Sequence, residues 1–561
     1  MIIDARDLLS GTPLSADICI VGAGAAGISM ALALADSGLT VLLLESGGDD
    51  EDEATQSLYS GEVADEKMHS PLHRYRMRRL GGSTTVWGGR CMPFDPIDFE
   101  ARDYVGSEAW PLPFQEVAAY YPRANALCEA GDFRYRAGET FTRPLKPMME
   151  GFESAHFSAD TLERFSCPTN FGWRYRRRIA IAPAVRMVLH ANVTAIDVNA
   201  AGTSVTGLTV RTLSGVTVPV HARRYVLAVG GLETVRLLLN SPGASGQGIG
   251  NAHDNVGRYY MCHVAGTIGS LQLAPGRHAW HGYDVSDEGI YCRRRLALRP
   301  DVQRQRRVGN FVARLHHPRM TDPRHRTGIL SLLCLAKFMV PYEYAKRLYG
   351  DEKTSLGTWL AHLRNVLLDI PGVIAFLWHW GRDRTLASRK FPSIIVHPKA
   401  HRYSIDFHAE QIPHRDSRVT LTDTCDVLGM RTLSVDWRYT PLDVETVQCA
   451  LALLADDIRA SGVGTLDYAP AEVEAEMTRY GAYGGHHIGT ARMGADPATS
   501  VVNADGRVHE LDNLYVAGSA VFPTSSQANP TLTIVAFALR MADHLTHDLR
   551  AAQRAHAPDR L

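Results

Sequence analysis

Residues 17–46, DICIVGAGAAGISMALALADSGLTVLLLES, decide how the rest of the chain is read. The apolar, β-branched run Ile18–Val21 predicts a buried parallel strand. It breaks at Gly22-Ala23-Gly24-Ala25-Ala26-Gly27, a small-residue helix follows over Ile28–Ala35, and Ser37-Gly38 stops that helix. Val41–Leu44 is a second buried strand, ending in Glu45 and Ser46. The result is a βαβ unit with GxGxxG at its first turn. Gly22 permits the tight turn, Gly24 lets the backbone approach a pyrophosphate, and Gly27 lets the helix pack closely on the strand. The free N–H groups at the helix start, around Ala25 and Ala26, face the anion. Glu45 stands 23 residues beyond Gly22, where a carboxylate accepts hydrogen bonds from a ribose diol. This unit predicts dinucleotide binding and leaves NAD and FAD both open.

At 561 residues the chain suits two intertwined domains better than one. An apolar content of 45% with 21% charged residues belongs to a globular protein with a sizeable core. A net charge of −1 gives no electrostatic case for a nucleic-acid partner. Basic clusters at Arg74–Arg79 and Arg174–Arg178 read as solvated faces or as contacts to cofactor phosphates. The nine cysteines are scattered, without CxxC, which argues against a disulfide framework and a structural zinc site, so no metal is expected. No cleavable signal is evident in MIIDARDLLSGTPLS, and Val373–Trp380 is too short to span a bilayer, so the expected setting is cytoplasmic. Ile370–Trp380 reads as a helical lid or core segment in preference to a membrane-touching patch.

Further glycine-rich stretches follow. Leu80-Gly-Gly-Ser-Thr-Thr-Val-Trp-Gly-Gly-Arg90 has four glycines around hydroxyl residues, a density that suits a loop drawn along a flat, polar cofactor. Short strands are expected at Val193–Val198, Val205–Thr212 and Val216–Val220, and a return strand with glycine turn and helix at Tyr225–Arg236. Strand-like alternation at Ser404–Gln411 and Arg418–Leu421, with a helical stretch Asp443–Ser461, predicts an antiparallel sheet backed by helices. Near the C-terminus stand Gly484-Gly-His-His-Ile-Gly-Thr-Ala-Arg-Met-Gly494, Asn513-Leu-Tyr-Val-Ala-Gly-Ser-Ala-Val-Phe-Pro523 and Gln527-Ala-Asn-Pro-Thr-Leu-Thr533. Pro530 is placed to open a long helix through His544, whose positive end suits an anionic ring.

Taken in order along nearly the whole chain, these motifs resemble the glucose–methanol–choline (GMC) family of FAD-dependent alcohol oxidoreductases. The resemblance implies FAD, held by Gly22, Gly24, Ala25, Ala26, Gly27, Glu45 and Ser46. It implies further contacts from Gly82, Ser83, Trp87 and Gly88, from Val193 and Ala228, and from Gly518, Ser519, Pro530 and Thr531. By its place in HxxGT, His486 matches the residue that faces the flavin N5, and Asn529 matches the second pocket residue; His487 turns away to pack or hydrogen-bond. A histidine titrating near neutrality takes a hydroxyl proton, and Asn529 holds the oxygen without competing as a base. Val86 stands where some sugar oxidases of the family tether FAD through a histidine, so noncovalent FAD is expected.

The expected architecture is α/β: a Rossmann-like FAD-binding domain of residues 1–100, 180–262 and 482–561, with a discontinuous α+β substrate domain of 101–179 and 263–481. Phe407-His-Ala-Glu-Gln411 resembles the substrate segment of bacterial, pyranose-oxidase-like members, and Gln411 is a candidate for a sugar hydroxyl or for packing against the sheet. The expected reaction is oxidation of a secondary hydroxyl of a sugar, glycoside or polyol, with oxygen or a carrier as external electron acceptor. A non-redox lyase on the same fold, a simple or hydrophobic alcohol as substrate, and a silent FAD-binding protein are the competing readings.

Overall fold

The sequence folds around a strand that starts earlier than its apolar run suggests, Leu14–Val21, with Ile18, Cys19 and Ile20 completely buried. Burial on both faces is what a central parallel strand covered by helices requires. The computed structural model describes residues 1–339, 355–398, 401–479, 481–482 and 485–555. In the first sheet the order is Ile2–Asp4, Val185–Leu189, Val41–Leu44, Leu14–Val21, Thr217–Leu227, Val205–Arg211 and Asn192–Val198. The first five of these run parallel, and the last two continue the sheet antiparallel. The helix after the first strand is Ala25–Leu34, and the final helix, Thr531–Ala555, packs against it.

Val216–Val220 and Tyr225–Val229, expected as separate strands, belong to one strand, Thr217–Leu227. Leu14–Val21 pairs along one side of it from Val220 to Leu227, which carries the polar stretch His221–Arg224 through without a break. On the other side the partner changes. Residues Thr217–Val220 pair antiparallel with Leu208–Arg211, and Tyr225–Leu227 pair parallel with Leu514–Val516.

A second sheet is antiparallel throughout, in the order Gly464–Asp467, His263–Leu273, Arg402–Glu410, Phe311–His316, Leu296–Leu298 and Phe157–Ser158. The helix Pro441–Ala460 backs it, burying Val447, Leu451, Leu454 and Ile458 among Phe311, Ile405 and Phe407. Its start is fixed by Pro441 and by a capping box between Thr440 and Asp443, a device worth about 1 kcal/mol. Two small sheets stitch distant parts of the chain together. Gly61–Val63 pairs with Leu433–Val435, and Arg90–Cys91 pairs with Arg164–Phe165. The fold is therefore α/β with an antiparallel sheet set beside the parallel one.

The structure corrects two readings. Arg76 and Arg78 are buried against Glu233, so the Arg74–Arg79 cluster is in part an interior ion network and not a solvated face. Ile370–Trp380 is a helix as expected, but among its residues only Val373 is fully buried, so it is not a core segment. Among the described residues no single helix is long and apolar enough to cross a membrane.

Candidate active site

Three neighbouring strands end in glycine. Leu14–Val21 runs into Gly22-Ala23-Gly24, Thr217–Leu227 into Gly230, and Leu514–Val516 into Gly518. A Cβ added to Gly24, Gly230 or Gly518 would meet no described atom within 4 Å beyond its chain neighbours. These glycines border open space at the carboxyl ends of the parallel strands, where open α/β sheets bind their ligands. Elsewhere the glycines are packed hard. A Cβ on Gly27 would lie 1.9 Å from the Gly22 carbonyl oxygen, and one on Gly22, at φ +100°, 2.6 Å from the Ala228 oxygen. Gly82 brings its backbone against Gly24, with an added Cβ 3.1 Å from the Gly24 Cα, and Gly81 N–H donates to the Ala23 oxygen at 2.9 Å. The loop expected to lie along the cofactor thus meets the first βα turn directly.

Glu45 is buried at the same crevice. Its Oε2 accepts from Ala23 N–H at 2.8 Å and its Oε1 from Gly47 N–H at 3.0 Å and the Ser46 hydroxyl at 3.2 Å. In this structure the carboxylate braces the turn; each oxygen keeps lone-pair capacity for a diol. Val193 lies on Asn192–Val198, two residues after Ala191, whose N–H bonds the Glu45 oxygen. Ala25 and Ala26 open the helix, while Ser83 and Gly88 are exposed on the second loop. Trp87 of the same loop is held by its indole N–H to the Thr169 oxygen at 2.9 Å. Ser519 donates to the His487 oxygen at 2.7 Å, tying the GSA turn to the histidine motif.

Past that crevice the catalytic candidates meet. Gly489, Ala491 and Met493 N–H groups bond the oxygens of Ser519, Ala520 and Val521, which fixes the His486 segment on the turn leading to the final helix. Asn529, just before Pro530 and Thr531 at the start of that helix, donates Nδ2–H to His486 Nε2 at 3.1 Å. The Asn529 Oδ1 is buried with no described partner. Burial, helped by the positive charge of Arg90, pushes the His486 pKa down to about 4. His487 points away: its Nδ1 bonds Tyr260 Oη at 2.7 Å, and Tyr260 Oη bonds His69 Nε2 at 2.8 Å.

Two further histidines complete the pocket, and sequence reading missed both. His263 opens the strand His263–Leu273, and His408 sits two residues from the end of Arg402–Glu410. Their ring centroids lie 4.8 and 6.2 Å from that of His486, and nitrogen atoms of the three rings all lie within 4.8 Å of one another. His263 Nδ1 bonds the Ser526 oxygen at 3.0 Å and His408 Nδ1 the Gln527 oxygen at 2.7 Å. A carbonyl accepts only, so each Nδ1 carries the proton and each Nε2 presents a lone pair. Burial pushes both pKa values well below the usual range, which keeps both rings neutral. The His263 Nε2 is buried with no described partner. The available signal was strand parity: His408 and Glu410 share one face and Gln411 the other.

Of the two readings of Gln411, the hydrogen bonds favour packing against the sheet. Its Oε1 accepts from Cys262 N–H at 2.6 Å and Trp437 Nε1–H at 2.9 Å, and its Nε2 donates to the Arg438 oxygen at 2.9 Å. Fully buried and bonded at both ends of its amide, it braces the substrate sheet and has no hydrogen to offer a sugar beyond one N–H.

This combination of a glycine-bordered crevice and a His–Asn pair defines a class, and comparison with known proteins agrees. Residues 17–327 match the FAD dependent oxidoreductase family and residues 413–538 the GMC oxidoreductase C-terminal family. The chain belongs to the FAD-dependent oxidoreductases of the GMC family. It is 25% identical to paromamine 6'-oxidase of Streptomyces fradiae, over 96% of this chain and 93% of that protein. A shorter match, 34% identical over 25% of this chain and 26% of that protein, is to C-glycoside 3-oxidase of Arthrobacter globiformis. In fold it is similar to the crystal structure of pyridoxine 4-oxidase from Mesorbium loti, with a TM-score of 0.53 and 18% identity, covering 95% of this chain and 99% of that one.

Proposed function

We propose that this enzyme oxidises a hydroxyl of a sugar, glycoside or polyol, foremost a secondary one, to a carbonyl, with His486 as the base and Asn529 as the oxygen-holding group. The observation that carries this reading is the direct 3.1 Å bond between Asn529 Nδ2 and His486 Nε2. A carbinol hydroxyl inserting there donates its proton to Nε2 and accepts from Nδ2–H, replacing one bond by two. FAD, when bound, supplies the hydride acceptor at N5. His486, neutral, takes the hydroxyl proton, and Asn529 keeps its N–H on the oxygen as it becomes a carbonyl. The Nε2 lone pairs of His263 and His408 suit neighbouring hydroxyls on the same substrate, which favours a polyhydroxylated ring over a simple or hydrophobic alcohol. The oxidases of paromamine and C-glycosides among its relatives support the same class.

The cofactor fits the residues present: open glycine at three strand ends, a helix start, and Glu45 beside them. FAD is proposed to be noncovalent because Val86, half exposed, occupies the family's tethering position. Acid precipitation is expected to release all flavin into the supernatant. The division into a FAD-binding part (1–100, 180–262, 482–561) and a substrate part (101–179, 263–481) is proposed on the two large sheets, whose strands fall wholly within those segments. The electron acceptor is proposed to be external, oxygen or a carrier, and the setting cytoplasmic.

The test is anaerobic titration of the purified flavoprotein with sugars, glycosides and simple alcohols, reading the visible flavin band. Bleaching by polyhydroxylated substrates supports the proposal; a bound flavin that none of them bleaches sinks it in favour of the lyase reading. Within that assay, replacing both His263 and His408 by phenylalanine is expected to raise KM for a sugar by about tenfold or more, each lost hydroxyl contact costing about 1 kcal/mol. The variant should change little with a simple alcohol.

A further inference from the structure

The helix pair Leu356–Leu368 and Ile370–Trp380 is built inside out. On the first helix the buried residues are polar. His362 is 0% exposed, bonding Ser331 Oγ at 3.0 Å, and Asn365 is 9% exposed, donating to the Pro323 oxygen at 2.7 Å. Leu356, Trp359, Leu360, Leu367 and Leu368 face outward, with Leu356 75% and Leu368 71% exposed. On the second helix Val373 and Phe376 pack inward, while Ile370, Ile374, Leu377 and Trp378 recur at i, i+4, i+7 and i+8 on the outer side, Trp378 72% exposed. Among the described residues, ten of the nineteen exposed large hydrophobics lie between Leu356 and Leu386. That concentration in 31 of 561 residues separates this surface from scattered exposed side chains.

Charge selects what meets it. Residues 355–390 hold five Arg or Lys and two Asp in a chain whose net charge is −1. Of the two acids, Asp369 is buried and caps the Gly328 N–H, and Asp383 is paired with Arg382. Arg364 lies between Leu360 and Leu368 along the outer side, and Arg382 and Arg384 follow Trp380, with the Arg384 guanidinium over the Trp380 ring at 4.9 Å. The two helices together have the apolar length of a span, yet they bend by 78° at their junction. An amphipathic surface of Trp and Leu bordered by Arg, and bent so that it cannot run straight across, has the chemistry of an element lying in the headgroup region.

We propose that this helix pair docks the enzyme on an anionic lipid surface, with the Ile374–Trp378 face in the acyl boundary and the arginines on headgroup phosphates. It is independent of which alcohol the enzyme oxidises. The test is flotation of the flavin-loaded enzyme with vesicles of phosphatidylcholine containing about one-third phosphatidylglycerol, beside vesicles of phosphatidylcholine alone. The native protein is expected to float with the anionic vesicles, less so as salt rises. The variant Ile374→Glu/Leu377→Glu/Trp378→Glu, changed only at exposed positions, should lose at least about tenfold of that binding while keeping its flavin spectrum and its turnover without vesicles. The variant Arg364→Gln/Arg382→Gln should bind weakly and with a flatter salt dependence. Native protein that stays behind with both vesicle types overturns the proposal, as does a triple variant that floats like the native chain. If the unfloated native protein is a dimer in sedimentation and the triple variant a monomer, the surface joins two copies and the lipid proposal is equally overturned.

Discussion

Replacing His486 by alanine lowers the rate of flavin reduction by alcohol by about 10²–10⁴-fold, the range for loss of a positioned general base, while the flavin stays bound. The two effects separate because the open glycines Gly24, Gly230 and Gly518 have no His486 atom beside them, whereas His486 Nε2 is the nitrogen that Asn529 Nδ2 bonds at 3.1 Å. The pH dependence carries the same signature. The base works in its neutral form, and burial with Arg90 holds its pKa down at about 4. Single-turnover reduction in the native enzyme is therefore flat through neutral pH and falls about tenfold per unit below about pH 4. Stopped-flow absorbance of the flavin band reads both effects. A variant reducing at the native rate would remove His486 from the role of base.

The second large effect is on stability. Arg102 and Glu410 form a bidentate pair at 2.6 and 2.7 Å, both fully buried, and Glu410 Oε2 also accepts from Asn310 N–H at 3.0 Å. Asp98 lies close by, its pKa raised to about 7 by burial first and by the neighbouring Asp95 and Glu410. Arg102→Ala leaves Glu410 as an unpaired buried acid beside Asp98, and the expected loss is about 3–5 kcal/mol, read as a lowered urea midpoint. The paired replacement Arg102→Met/Glu410→Leu should restore most of it, since it removes the charge that the single variant strands. Glu410 is two residues from His408, so the single variant should also weaken sugar binding.

How much of this was legible in the chain depends on whether one segment or several make the feature. The βαβ unit and the loop of four glycines are local motifs read from spacing, and the His486–Asn529 pair is what the family resemblance implies; Asn529 Nδ2 does meet His486 Nε2. Thr217–Leu227 was misread as two strands because its continuity comes from partners 200 residues before it and 290 after it, not from its own polar middle. Arg76 and Arg78 looked solvated because Glu233, their counter-ion, is far along the sequence. His263 and His408 were passed over because a histidine in a strand is ordinary until two backbone carbonyls fix its tautomer. For Gln411 the residue type left a sugar contact and sheet packing both open, and only the claims of Cys262, Trp437 and Arg438 on its amide decide between them. Ile370–Trp380 has the composition of a core helix, and only the burial of His362 and Asn365 on its neighbour shows which side faces in.

The pairing of Leu514–Val516 with Tyr225–Leu227 sets a timetable for biosynthesis. A ribosome adding about 5–20 residues per second needs roughly 15–60 s between those two stretches, during which the Tyr225–Leu227 end of that strand lacks its second neighbour. The parallel sheet cannot close, nor the crevice take its third glycine, until almost the whole polypeptide has emerged. Nascent chains are thus exposed to chaperones and proteases for most of their synthesis. A stop codon anywhere before the final helix would cost the cell the entire flavoprotein, not merely its tail.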